Sequence, residues 1–277
     1  LKEIHEQSSV TAFALSHYLN AERTAINLPE GDMDYSKFDR IVLVACGTAH
    51  YACAVAKYWF EQIARIPVEI DVASEFRYRQ PPMNGRECVM FISQSGETAD
   101  TLAALRYVQG KAASIVAIVN VAESSISREA DFSLPIMAGP EISVASTKAF
   151  TCQLTVLACL AILAGRQNAA INETEEKRLI EALMAAPRLI GETIKSSGEL
   201  NHASRELAKA QDILFLGRGP LFPLALEGAL KLKELSYIHA EGFPSGELKH
   251  GPIALVDDTV PVVVFAPSCG LFEKTVS

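Results

Sequence analysis

The chain lacks the signatures of several chemistries, and each absence removes a class of function. None of its six cysteines (Cys46, Cys53, Cys88, Cys152, Cys159, Cys269) forms a C-x-x-C pair; several fall in apolar strand or helix patterns and read as small buried hydrophobes in a reducing cytosol. No G-x-x-x-x-G-K-[ST] occurs, so a nucleoside triphosphate held with magnesium is not indicated. No group of His, Cys and Asp has metal-ligand spacing, so neither metal nor cofactor is inferred. Basic charge is scarce: 25 Lys and Arg stand against 33 Asp and Glu, a net charge of −8, which argues against a nucleic-acid partner. Long apolar runs are also missing. The most apolar stretch, Ala149 to Ala164, is interrupted by Thr151, Gln153 and Thr155, follows Lys148 and ends at Gly165; it is too short and polar for a bilayer and reads as a buried helix. Lys2, Glu3, His5 and Glu6 open the chain before any apolar run could form a signal peptide. The expectation is a cytoplasmic protein with no membrane partner.

What is present suffices for about two domains: 277 residues, 49% hydrophobic and 21% charged. Residues 1–38 read as a leading helix and a polar linker containing Pro29-Glu30-Gly31-Asp32. Residues 39–171 alternate strand and helix patterns. Ile41–Ala45, Val68–Ala73, Cys88–Ser93, Ile115–Asn120 and Phe132–Pro135 are the strand candidates, and Ala52–Ile63 is the first helix after the Cys46-Gly47-Thr48 turn. Such alternation predicts a doubly wound parallel sheet. Residues 172–211 interleave charges with Leu, Ile and Met at helical spacing and form a connector. At Ile213 the pattern of Ile41 starts again, with Gly219 falling where Gly47 falls, so residues 212–277 form a second copy. The register carries the Cys88–Ser93 strand onto Val262-Val263-Val264-Phe265. With two or three strands where the first copy has about five, the second copy is expected to be truncated at its C-terminus, the native protein continuing past Ser277.

The most telling segment is Phe91-Ile92-Ser93-Gln94-Ser95-Gly96-Glu97-Thr98, a buried strand running through a hydroxyl-rich turn into a helix. The first N–H groups of a helix lack internal partners and sit at its positive end, so they attract an anion. Ser93, Ser95 and Thr98 add hydroxyl donors, and Gly96 lets backbone approach closely. A single phosphate on a small polar molecule fits; a Ser-capped helix is the plainer reading of the same pattern. Cys46-Gly47-Thr48 and Glu141 to Lys148, with Ser146 or Thr147 as N-cap, are two further hydroxyl-bearing turns at strand ends, where open α/β sheets bind ligands. Cys46 reads as a contact residue before a nucleophile, His50 being its only neighbouring histidine. In the second copy Glu227, Lys231 and Glu234 share a helix face, for which a solvated ion-pair row is the ordinary explanation of Glu227 and Lys231. Glu234 and His250, in glycine-bounded surroundings, suit proton transfer at an α-hydroxy carbonyl, with a structural histidine as the alternative for His250.

Taken together, Cys46-Gly47-Thr48, Ser93 to Thr101, Val144 to Phe150, Leu226 to Glu234 and Gly246 to Pro252 resemble the glutamine:fructose-6-phosphate amidotransferase (glucosamine-6-phosphate synthase) family, over the whole chain from Lys2. The likeness is to the isomerase half, built from two sugar-isomerase (SIS) domains of flavodoxin-like fold. It implies a homodimer converting fructose 6-phosphate and glutamine-derived ammonia into glucosamine 6-phosphate. By the family's pattern Ser93, Gln94, Ser95 and Thr98 hold the phosphate of a hexose 6-phosphate, and Cys46, Gly47, Thr48, Val144 and Ser146 line the sugar. Glu234 would be the enolisation base, Lys231 would assist at a hydroxyl, and His250 would open the ring, reaching the neighbouring subunit's site. Ala49 departs from the family, where a serine often follows the C-G-T turn. The family's glutaminase domain and its Schiff-base lysine tail lie outside this chain, so the resemblance implies that the fragment alone is inactive. A stand-alone glucosamine-6-phosphate deaminase and a non-catalytic sugar-phosphate sensor are the competing readings, the latter having no use for Glu234 and His250.

Overall fold

The computed structural model describes residues 1–29, 31–268 and 270–276; Cys269 and the linker residue Glu30 lie outside the described residues. The chain divides into two compact units, Leu1–Ile142 with Ser146–Glu192, and Ser143–Ala145 with the chain from Thr193 onward. The helices are α1 Lys2–Tyr18, α2 Gly47–Trp59, α3 Ala73–Arg79, α4 Ala99–Val108, α5 Ser125–Glu129, α6 Lys148–Gln167, α7 Glu173–Ser196, α8 Asn201–Leu207, α9 Leu221–Ser236 and α10 Phe272–Val276. The strands are β1 Arg40–Ala45, β2 Val68–Val72, β3 Glu87–Ser93, β4 Ser114–Val119, β5 Phe132–Pro135, β6 Asp212–Gly217, β7 His239–Pro244 and β8 Val262–Val264.

In the first unit β1 to β5 form one parallel sheet in the order β2-β1-β3-β4-β5. Its strands read as unbroken apolar runs because both faces are covered. Ile41, Leu43, Met90, Ile92 and Ile118 pack on one face against α1, α2, α6 and the start of α7. Val42, Val44, Phe91, Ala117 and Val119 pack on the other against α3, α4 and α5. The period-two alternation thus divides one strand's residues between two cores. All seven residues of the central strand β3 are buried, and burying each large apolar side chain contributes about 1.5–3 kcal/mol. That fixes the strand whose C-terminal end carries the hydroxyl turn.

The leading helix ends at Tyr18 and belongs to this core: Ala14, Leu15 and Tyr18 are buried in it. α6 is 20 residues long and, by length and composition, could cross a membrane; the apolar run alone underestimates it, because Lys148 and the residues after Ala164 continue the helix. It is instead the core helix of the unit, with Cys152, Val156, Leu157 and Leu160 fully buried. Lys148 begins it, 4% exposed, its ammonium 2.7 Å from the Glu6 carboxylate of α1. Burial pushes the thiols of Cys53 and Cys88 well above their ordinary value, and those of Cys152 and Cys159 to about 12, consistent with packing rather than reactivity.

The second unit has a three-stranded parallel sheet, order β7-β6-β8, which repeats β2-β1-β3. Val42 pairs with Glu69 and Leu214 with Glu241, at the same separation along the chain. Val42 pairs with Val89 and Leu214 with Val262, one residue further on. The repeat holds strand for strand, and among the described residues the second sheet carries counterparts of the first three strands.

Candidate functional site

In the first unit α2 and α4 start behind the C-terminal ends of β1 and β3, as α3 starts directly behind β2. α2 begins at Gly47, five residues before the apolar periodicity suggests; Gly47 has φ +55° and no side chain caps the helix. A glycine-led first turn looks like a loop in sequence, which hides the start. α4 begins at Ala99 behind Thr98, again without a side-chain cap bond. Neither start carries a side-chain cap bond, and helix starts of this kind are where backbone amides meet anions.

Between them lies a cavity of about 210 Å³ lined by Cys46, Thr48, Ala49, Ile92, Ser93, Gln94, Ser95, Thr98, Thr101, Ser146 and Gln153. The turn that forms its wall is braced from within. Ser93 Oγ accepts a 3.0 Å hydrogen bond from the Gly96 N–H and shares one of 3.2 Å with Thr98 Oγ1, and Ser95 Oγ accepts from the Glu97 N–H at 3.2 Å. Glu97 turns away: its carboxylate accepts from the Ser125 N–H at 2.7 Å, which holds it below the usual carboxylate range. Ser93, Gln94, Ser95, Thr98, Cys46, Thr48 and Ser146 are thus gathered around one cavity; Gly47 sits beside it at the head of α2.

The third turn is organised differently from a free helix start. Thr147 occupies the N-cap position of α6 without a cap bond of its own. The Glu141 carboxylate fills that end, accepting from the N–H groups of Thr147 (2.8 Å) and Ala149 (3.3 Å) and from Ser146 Oγ (3.0 Å). An internal carboxylate takes the place of an external anion there, so this turn offers the Ser146 side chain but not a vacant helix end. Val144 is 89% exposed and is not among the cavity residues; it groups with the second unit. His50 Nδ1 lies 3.2 Å from the Asp71 carbonyl, so its recorded contact is to backbone rather than to Cys46. Thr101 and Gln153 line the cavity and escaped the sequence reading. Their signals were the i, i+3 spacing from Thr98 and the polar break in an apolar helix.

Gly96 is the conformational key of the turn. Its φ is +65°, and a Cβ there would lie 2.0 Å from Ser124 Oγ and 2.4 Å from Ser124 Cβ. Gly96→Ala is therefore expected to cost about 1–3 kcal/mol and to weaken phosphate binding by displacing the turn. Thermal unfolding and calorimetry with inorganic phosphate measure both; an unchanged melting temperature and affinity would show that the turn shifts without cost.

In the second unit α9 sets three charges on one face. Lys231 Nζ lies 2.7 Å from Glu234 Oε2 and 3.4 Å from Glu227 Oε1. Glu227 is nearly buried and Glu234 is about one-third exposed, so the ordinary surface ion-pair row does not describe this face. His250 ends the 3₁₀ turn Ser245–His250 and is exposed; the Glu234 carboxylate is paired with Lys231. Among the described residues no three His, Cys, Asp or Glu side chains gather as a metal group. A larger groove of about 390 Å³ among α1, α2, α6 and α7 has mainly apolar walls, including Leu154, Ile162, Leu183 and Ile190, and offers no proton-transfer group.

A tandem pair of parallel α/β sheets, the first ending in a hydroxyl-lined cavity at two helix starts without side-chain caps, defines the class: a repeated parallel α/β protein with a polar cavity at the strand ends of its first copy. The SIS domain family matches residues 34–163 and 206–275, and the chain belongs to that family. It is 56% identical over 277 residues to a glutamine–fructose-6-phosphate aminotransferase (isomerizing) of Bradyrhizobium diazoefficiens, and 55% identical over 276 residues to that of Brucella abortus. In both cases the match takes in 100% of this chain and 46% of the relative, so the chain spans about half the length of these relatives. Among solved structures, the C-terminal domain of glucosamine-fructose-6-phosphate aminotransferase from Francisella tularensis matches with TM-score 0.95 and 41% identity, over 99% of this chain and 77% of that one. A glucosamine-6-phosphate deaminase from Thermotoga maritima matches with TM-score 0.78 and 25% identity, over 99% and 78%.

Proposed function

We propose that this chain is the isomerase portion of an enzyme that makes glucosamine 6-phosphate from fructose 6-phosphate and ammonia released from glutamine by a glutaminase domain of the longer protein. The observation that carries the reading is the first-unit cavity, where the hydroxyls of Thr48, Ser93, Ser95, Thr98 and Ser146 meet two uncapped helix starts. The relatives' names supply the reaction. Ser93, Gln94, Ser95 and Thr98 hold the phosphate, and Cys46, Gly47, Thr48 and Ser146 line the sugar. Ammonia replaces the C2 carbonyl oxygen, which leaves as water. Glu234 then takes a proton from C1 and returns it to C2, while the proton given up by the C1 hydroxyl is balanced by the one the imine nitrogen gains, so that the C1 aldehyde and the C2 amine form together. Lys231, its Nζ 2.7 Å from Glu234 Oε2, is held beside the base and assists at a substrate hydroxyl. His250, exposed on its turn, serves ring opening in the site of a second copy of the chain. Free cysteines at all described positions suit work in the cytoplasm.

The test is incubation of the natural-length protein with fructose 6-phosphate and ammonium, following glucosamine 6-phosphate. Absence of product would sink the proposal. Conversion of glucosamine 6-phosphate to fructose 6-phosphate with no synthesis would favour the deaminase reading, to which the 25% identical Thermotoga maritima structure corresponds.

A further inference from the structure

Two polar atoms in the wall of the first-unit cavity have no hydrogen-bond partner in the protein: Gln153 Oε1 on α6 and Thr101 Oγ1 on α4. Their residues are 2% and 1% exposed. Buried polar atoms are almost always paired, because an unpaired one forfeits its bonds to water with no return. Gln153 is the more telling, since its helix neighbours Cys152, Val156 and Leu157 are fully buried and apolar and an apolar residue would suit this position in an empty protein. Ser93 and Thr98 occupy the same cavity, already bonded to each other and to the Gly96 N–H. The turn and the helix starts supply donors for a phosphate; a lone acceptor such as Gln153 Oε1 would repel one. What it lacks is a donor, and the donors on a sugar phosphate are its hydroxyls.

We propose that Gln153, seconded by Thr101, is a specificity-determining residue of this cavity that accepts a hydrogen bond from a hydroxyl of the bound sugar chain, so that the site prefers a polyol phosphate over a bare phosphate. The assignment rests on reading the cavity as the hexose 6-phosphate site. It also explains why the protein tolerates two unpaired atoms: stability is lost in the empty state and recovered when ligand enters, as is common at functional sites.

The experiment compares fructose 6-phosphate with inorganic phosphate as calorimetric probes of the natural-length protein and its Gln153→Met variant, which keeps length and volume, and its Thr101→Val variant, which keeps shape. Gln153→Met is expected to weaken fructose 6-phosphate about tenfold, or ~1.4 kcal/mol, and to leave inorganic phosphate within about twofold. Thr101→Val is expected to act in the same direction more weakly. The ligand-free melting temperature of Gln153→Met should stay or rise, because the variant removes an unpaired buried atom, whereas a merely structural glutamine would lower it. An unchanged ratio of the two affinities, equal weakening of both probes, or a lowered melting temperature with the ratio kept would each overturn the proposal while leaving the site reading in place. If the unaltered protein bound neither probe, the site reading itself would fall and this assignment with it.

Discussion

Replacing Glu234 by glutamine is expected to lower the rate of glucosamine 6-phosphate formation by about 10²- to 10⁴-fold, the usual contribution of a positioned general base. Glutamine keeps the shape of the side chain and a carbonyl that Lys231 can still reach, but it cannot take up a proton from carbon. Lys231 also retains Glu227 at 3.4 Å, so the helix face is not left with a stranded cation and the fold should hold. Because the residues proposed to hold the phosphate belong to the other unit, the expected signature is a fall in kcat with the KM for fructose 6-phosphate little changed. A parallel fall in kcat and affinity would mean that Glu234 holds substrate rather than moves its proton. Undiminished turnover would remove it from the reaction.

The architecture was legible because it depends on patterns that survive in a single sequence. Strands buried on both faces leave unbroken apolar runs, and Ile41 to Ala45 could be read almost to the residue. The tandem copy was legible because spacing is conserved within the chain, down to the strand at Val262. What could not be read depends on where side chains turn. Glu141 caps α6 from six to eight residues upstream, a contact that no local capping pattern announces. Gly47 looks like a turn residue and is one, but the turn is already the first residue of α2. Gln153 was visible as a polar break in an apolar run, and sequence periodicity alone could use it only to argue against a membrane span. Its value as a cavity residue appears once α4 and α6 are placed against the same strand end.

The second large effect is expected far from any ligand, at Glu87, which opens the central strand. Its side chain is fully buried and takes four hydrogen bonds. Oε1 accepts from the Asn84 N–H at 2.8 Å and from Arg40 Nη2 at 2.9 Å, and Oε2 accepts from the N–H groups of Gly85 at 3.0 Å and Arg86 at 3.1 Å. Burial by itself pushes this carboxyl up, but the hydrogen bonds from Asn84 and Arg40 outweigh it and hold the group below its ordinary value of about 4.5. Glu87→Ala strands the Asn84 and Gly85 N–H groups, while the Arg86 N–H keeps its 2.9 Å bond to Asn84 Oδ1, and leaves Arg40 only its bond to the Pro82 carbonyl and its pair with Glu69. The expected loss is about 3–5 kcal/mol, or roughly 6–20 °C in melting temperature for a unit of this size. Glu87→Gln should lose less, because its amide oxygen can still serve one pair of donors while its NH₂ faces the other. The acid dependence follows from the direction of the shift. A depressed folded-state pKa adds stability that is fully present above about 4.5 and is lost as pH falls through the folded-state value. The melting-temperature gap between the unaltered protein and Glu87→Gln should therefore be constant near neutrality and narrow below pH about 4.5. Glu6, Glu97 and Glu129 are depressed as well, so it is the gap, and not the acid lability of the protein as a whole, that reports on Glu87; a gap independent of pH would show that its ionisation is the same folded and unfolded.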